Sequence, residues 1–62
     1  MTLRDKIIAL LAESERINAV AICDALSESW NRVWPELQKL VHEGKLTEYK
    51  YPNKGYEYEV KL

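Results

Sequence analysis

The apolar residues of this chain fall into three stretches with a period near 3.6, followed by two with a period of 2. In the first stretch Leu3, Ile7, Leu10 and Leu11 recur at helical spacing, and Ile8 widens the stripe. Thr2 stands as an N-cap with Asp5 three residues on, a pair of the capping-box type that also suits the positive end of a helix. This predicts a first helix over residues 3–13, ended by Ser14 and Glu15. Arg16, Ile17 and Asn18 form a brief extended segment. Asn18 then caps a second helix, Ala19 to Leu26, whose apolar set is Val20, Ile22, Ala25 and Leu26. A helix of about eight residues is unstable alone in water, so packing must hold it.

Ser27, Glu28 and Ser29 make a turn. Either serine can cap a third helix, and Glu28 favours its N-terminus. Val33, Leu37, Leu40 and Val41 form the buried stripe, and Trp30 falls on its inner edge as a core residue. Pro35 interrupts the pattern. It has no N–H for the carbonyl of Asn31, and it disfavours helical geometry at Trp34. Either one helix begins near Trp30 and kinks at Trp34, or a short turn over residues 29–33 precedes a main helix with Pro35 at its first position. Val33 and Leu37 stay in phase across the proline, which favours the single kinked helix. Glu43-Gly44 ends it, with glycine at the left-handed cap.

The period then changes. Leu46 to Tyr51 reads as a strand, Pro52-Asn53-Lys54-Gly55 as a turn, and Tyr56 to Leu62 as the return strand. In the return strand Tyr56, Tyr58, Val60 and Leu62 share one face, and Glu57, Glu59 and Lys61 the other. Tyr49, Tyr51, Tyr56 and Tyr58 are expected to form cross-strand pairs, with Glu57 and Glu59 facing away from them.

Composition narrows the classes. Residues 1–62 make one domain without repeats or a linker, and a chain this short buries only about 60% of its unfolded surface. Hydrophobic and charged fractions of 47% and 31% are those of an ordinary globular domain. No run of about 18 apolar residues exists to span a membrane, and the first residues lack the cleavage site of a signal peptide. A single cysteine, Cys23, fits a reducing compartment, so a cytoplasmic location is expected, with Cys23 as a small buried hydrophobe. One cysteine and one histidine do not make a zinc site, and no cofactor is expected. His42 has no nucleophile or paired carboxylate beside it, so it reads as a surface residue and the chain as a non-enzyme. The net charge is −1 and the pI about 5.8, so any attraction to phosphate must come from local clustering.

The segments INAVAICDAL at 17–26, LQKLVHEGKL at 37–46 and TEYKYPNKGYEYEVKL at 47–62 give the chain a resemblance to the winged helix-turn-helix family of small bacterial or phage-type transcriptional regulators. The resemblance covers the whole chain. It implies an α+β fold of three helices with a C-terminal two-stranded β-hairpin, the wing. It also implies double-stranded DNA as partner, with the third helix in the major groove and the wing on the backbone or minor groove. The reading positions are then Trp30, Asn31, Trp34, Pro35 and Gln38, and the wing contact is Lys54 with help from Lys50.

A helical turn of about 100° per residue places Asn31, Pro35, Gln38 and His42 opposite Val33, Leu37, Leu40 and Val41. Arg32 and Lys39 flank that outer face on one side, Trp34 and Lys45 on the other. Asn31 and Gln38 each suit bidentate pairing with adenine, and Arg32, Lys39, Lys45 and Lys54 suit phosphate. One module gives limited affinity, so a homodimer or a second protein is expected on DNA. The alternative is a protein-interaction module that uses Trp34 beside Pro35 as an aromatic anchor without DNA. Trp34 folded back on the hairpin as part of the core remains open beside both.

Overall fold

The computed structural model describes residues 1–53 and 55–61 of the chain. Six elements follow in order: α1 (Leu3–Ala12), β1 (Ile17–Asn18), α2 (Ala19–Leu26), α3 (Trp30–His42), β2 (Leu46–Tyr51) and β3 (Gly55–Val60). The fold is α+β, three helices with a three-stranded antiparallel sheet in the order β1-β3-β2. The expected two-stranded hairpin is thus extended. Ile17 and Asn18 pair with Tyr58 and Glu57, so the extended segment between α1 and α2 becomes the third strand.

Local chemistry sets most boundaries. Thr2 accepts from the Asp5 N–H at 3.1 Å while the Asp5 carboxylate accepts from the Thr2 N–H, a complete capping box at the start of α1. Asn18 caps α2 by accepting from the Val20 N–H at 2.8 Å. α3 ends in a Schellman motif. Gly44, at φ +80°, donates to the Val41 carbonyl, and Lys45 donates to that of Leu40. α2 closes with the same pair of bonds, from Ser27 to Asp24 and from Glu28 to Cys23, but Ser27 rather than glycine takes the left-handed position, at φ 54°.

The core gathers Ile7 and Leu11 of α1, Ala19 and Ile22 of α2, Val33, Leu37 and Leu40 of α3, Leu46 of β2 and Tyr58 of β3. Along α2 the inward stripe is Ala19, Ile22, Cys23 and Leu26, the i, i+3, i+4, i+7 set. The expected set is corrected at two positions, because Val20 and Ala25 fall on the two flanks of this stripe and are exposed. Cys23 is half-buried at the edge of this stripe, and burial pushes its thiol pKa up.

Trp30 is also corrected. Its helical angle aims it toward the core, but it occupies the first turn of α3, beyond the last core layer, and is 42% exposed. The tyrosines do not share a face. In the hairpin register Tyr49 lies opposite Glu57 and Tyr58 opposite Glu48. Tyr49 therefore stands with the acids on the outer face, while Tyr58 points into the core. The expected positions of Lys54 at the wing tip and Leu62 in the return strand lie outside the described residues.

Arg4 of α1 reaches the residue that caps α3. Its Nη1 donates to Glu43 Oε2 at 2.9 Å, and Nη2 makes a second bond to the other carboxylate oxygen. This fork ties the start of the chain to the end of α3 and holds the Glu43 carboxyl below the usual carboxylate range.

Candidate nucleic-acid interface on the third helix and the hairpin

α3 is one helix from Trp30 to His42 with Pro35 inside it. This agrees with the continuous reading over a restart at the proline. Ser29 occupies the N-cap position without a side-chain cap bond, although its carbonyl accepts from Arg32 and Val33 at 3.1 and 3.0 Å. Glu28 forms an ion pair with Arg32 at 3.1 Å one turn on, which supports the first turn instead.

Two sides of α3 matter. Its outward face carries Asn31, Arg32, Pro35, Lys39 and His42, all exposed. Its hairpin side carries Trp34 and Gln38, both half-buried. Trp34 is held between two rings. Trp30 stacks on it at 5.0 Å with planes 24° apart, and Tyr56 of β3 meets it at 5.1 Å and 55°. Trp34 therefore folds back on the hairpin, and the ring left toward solvent is Trp30.

Gln38 is tied down as well. Its Nε2 donates to Glu48 Oε2 at 2.9 Å and to Tyr58 Oη at 3.1 Å, and the Tyr58 hydroxyl donates to the same Glu48 oxygen at 2.6 Å. An ionised carboxylate only accepts, so the amide nitrogen must be the atom that faces it. Burial, and then the bond to Glu48, push the Tyr58 phenol well above its ordinary value near 10. The three groups satisfy one another and fix the hairpin against α3.

The cations are spread along this surface, each beside an acid. Lys39 lies 3.8 Å from Glu36, Lys45 3.7 Å from Glu43 and Lys50 4.0 Å from Glu48. With the Arg32–Glu28 pair, every described cation expected to contact phosphate has a carboxylate within 4.0 Å. On the cation side these pairs face solvent and are therefore weak, although Glu28 and Glu48 are themselves largely covered. Lys50 stands opposite Tyr56 in the register, and Tyr56 touches Trp34, which brings this lysine alongside α3.

Two shallow clefts of about 400 and 410 Å³ open on this side, one lined by Gln38, Lys39, His42 and Glu43, the other by Lys50, Tyr51, Pro52, Gly55 and Tyr56. Among the described residues no group of His, Cys, Asp or Glu is placed to hold a metal ion, and no helix is long and apolar enough to cross a membrane.

Three arrangements were not visible in the linear pattern. The Trp30–Trp34–Tyr56 stack joins helix to hairpin. Glu48 and Tyr58 engage Gln38. On the outer sheet face, the Arg16 guanidinium lies 3.7 Å over the Tyr49 ring and donates to Tyr51 Oη at 2.7 Å. The sequence signalled only part of one of these, in leaving open that Trp34 folds back on the hairpin. Comparison with protein-family models, with curated proteins and with solved structures finds no match for this chain.

Proposed function

We propose that the chain is a winged helix-turn-helix domain that binds double-stranded DNA as a small transcriptional regulator, with α3 in the major groove and the β2–β3 hairpin as the wing on the backbone. The element order and the β1-β3-β2 sheet support this reading. The observation that carries it is the outward face of α3. Asn31, Arg32, Pro35, Lys39 and His42 are exposed there together, while the opposite face supplies three core residues. A helix offered in this way fits the groove, which is about 12 Å wide. Arg32, Lys39 and Lys45 reach phosphate on either side, with Lys50 from the hairpin. No cofactor takes part, and two copies on adjacent half-sites raise the affinity of each.

The test is fluorescence anisotropy with random-sequence duplex across a salt series. Four phosphate contacts give a slope of log affinity against log salt of about −3.6. Absence of binding even at low salt rejects the reading.

One observation favours a second reading, a protein-interaction module on the same fold. Trp30 is exposed and already stacked on Trp34, so it is an aromatic anchor with little rotamer freedom left to lose. On that reading the anchor is Trp30, with Trp34 and Pro35 beneath and beside it. Association that Trp30→Ala abolishes, without any duplex affinity, decides for it.

A further inference from the structure

Of the side chains on α3 able to read a base, the structure leaves few at liberty. Trp34 is half-buried and packed between the rings of Trp30 and Tyr56. Gln38 needs an N–H donor to pair with adenine, and its amide nitrogen is already directed at Glu48 and Tyr58. Arg32 is held toward Glu28 and Lys39 toward Glu36, on the flank suited to phosphate. Asn31 is different. It is exposed, and its amide has no hydrogen-bond partner among the described residues. One helical turn further along the same face is Pro35, also exposed.

Pro35 is out of place by every stability criterion. It sits at the sixth position of α3, where it cannot donate to the Asn31 carbonyl. It is exposed and stands outside the hydrophobic core and the side chains packed against it. A rule broken at a surface position without a packing return points to use of that surface. What the proline ring presents there is a rigid, apolar knob about one turn from a bidentate amide. In the major groove, adenine offers N7 and N6 to an amide, and thymine alone offers a methyl group to an apolar side chain.

We propose that Asn31 and Pro35 together determine specificity for A·T pairs, Asn31 by pairing with adenine and Pro35 by covering the methyl group of a neighbouring thymine. This rests on the DNA reading above. It assigns the recognised duplex to a class, adenine- and thymine-containing steps in the major groove, and it removes Gln38 from the readers.

The test compares affinity for three duplexes at fixed salt: alternating dA–dT, the same duplex with dU replacing dT, and alternating dG–dC. Uracil differs from thymine only by the methyl group. Loss of one buried methyl weakens binding about fourfold. Loss of the bidentate amide contact weakens it about 5- to 150-fold on dG–dC. Pro35→Ser, which regains the helical N–H and is checked for folding by circular dichroism, equalises the dT and dU duplexes. Asn31→Ala reduces the preference over dG–dC to about the fourfold that the methyl carries, and leaves the dT to dU ratio in place. Equal wild-type affinity for dT and dU duplexes, with duplex binding intact, overturns the role of Pro35 while the DNA reading stands. An undiminished dA–dT preference in Asn31→Ala overturns the role of Asn31 in the same way. Absence of binding to all three duplexes overturns the DNA reading and the specificity together.

Discussion

Tyr58 and Glu48 lie directly opposite each other in the hairpin, and the Tyr58 hydroxyl donates to the Glu48 carboxylate at 2.6 Å on the side that meets α3. Tyr58 is fully buried. Removing its hydroxyl in Tyr58→Phe leaves Glu48 and Gln38 short of a partner, a loss of about 1 to 3 kcal/mol. For a domain of this size each kcal/mol lowers the thermal midpoint by about 4–8 °C. Thermal denaturation followed by circular dichroism measures it, and an unchanged midpoint shows that the network adds nothing to stability.

The same phenol carries a signature in alkali. Its folded pKa is raised above the ordinary value near 10, so its contribution is fully present below that pH and is lost as the pH rises above it. The absorbance titration is therefore expected to contain a late component that coincides with unfolding and is absent from Tyr58→Phe. A titration in which all four tyrosines of the chain ionise before unfolding contradicts this.

Glu43 acts at the other end of the scale. Its carboxyl, bonded by Arg4, is held below the ordinary value near 4.5, so the stability it contributes is present above that pH and lost as the pH falls. Glu43→Gln should flatten the fall in stability on the acid side and leave the neutral-to-alkaline profile with the same shape. Arg4→Ala should do the same, and a different acid profile for the two variants means that they do not act as a pair.

Ser27 holds a left-handed conformation that a residue with a Cβ adopts at some cost. Its side chain is exposed, so Ser27→Gly relieves the backbone and removes little else. The expected gain is about 0.5 to 1 kcal/mol, read from urea denaturation. Destabilisation by this change would mean that the serine hydroxyl matters more than the backbone does.

The two tryptophans should separate cleanly. Trp34→Ala empties a half-buried site between two rings and is expected to lose about 2 to 4 kcal/mol. Trp30→Ala loses one stacking partner at a position already 42% exposed, about 0.5 to 1.5 kcal/mol. Equal losses, measured by denaturant unfolding, refute the distinction between a packed and a presented ring.

Where local chemistry decides a boundary, the linear sequence reveals it. Thr2 with Asp5, Asn18 before Ala19, and Gly44 after the last apolar residue of α3 each satisfy backbone groups within a few residues, and all three stand where the pattern places them. Partners brought together by the fold are not legible in this way. Ile17 and Asn18 become a strand only because β3 arrives beside them from forty residues on. The helical angle of Trp30 gives its direction and not its depth, and the core stops short of that turn. Gln38 reads as an outward reader because the wheel does not register a sheet close enough for a long amide to reach. Of the expected interface, Asn31, Arg32, Lys39, Lys45 and Lys50 are all on the exposed surface, whereas Trp34 and Gln38 are engaged internally.

The Trp30–Trp34 stack also makes the molecule its own reporter. Two indoles 5.0 Å apart couple their electronic transitions, and Tyr56 links that pair to the hairpin. Their coupled circular-dichroism band depends on the spacing and tilt of the rings. Any ligand that separates α3 from the hairpin, or presses Trp30 against a surface, therefore writes its arrival into the near-ultraviolet spectrum without an added label.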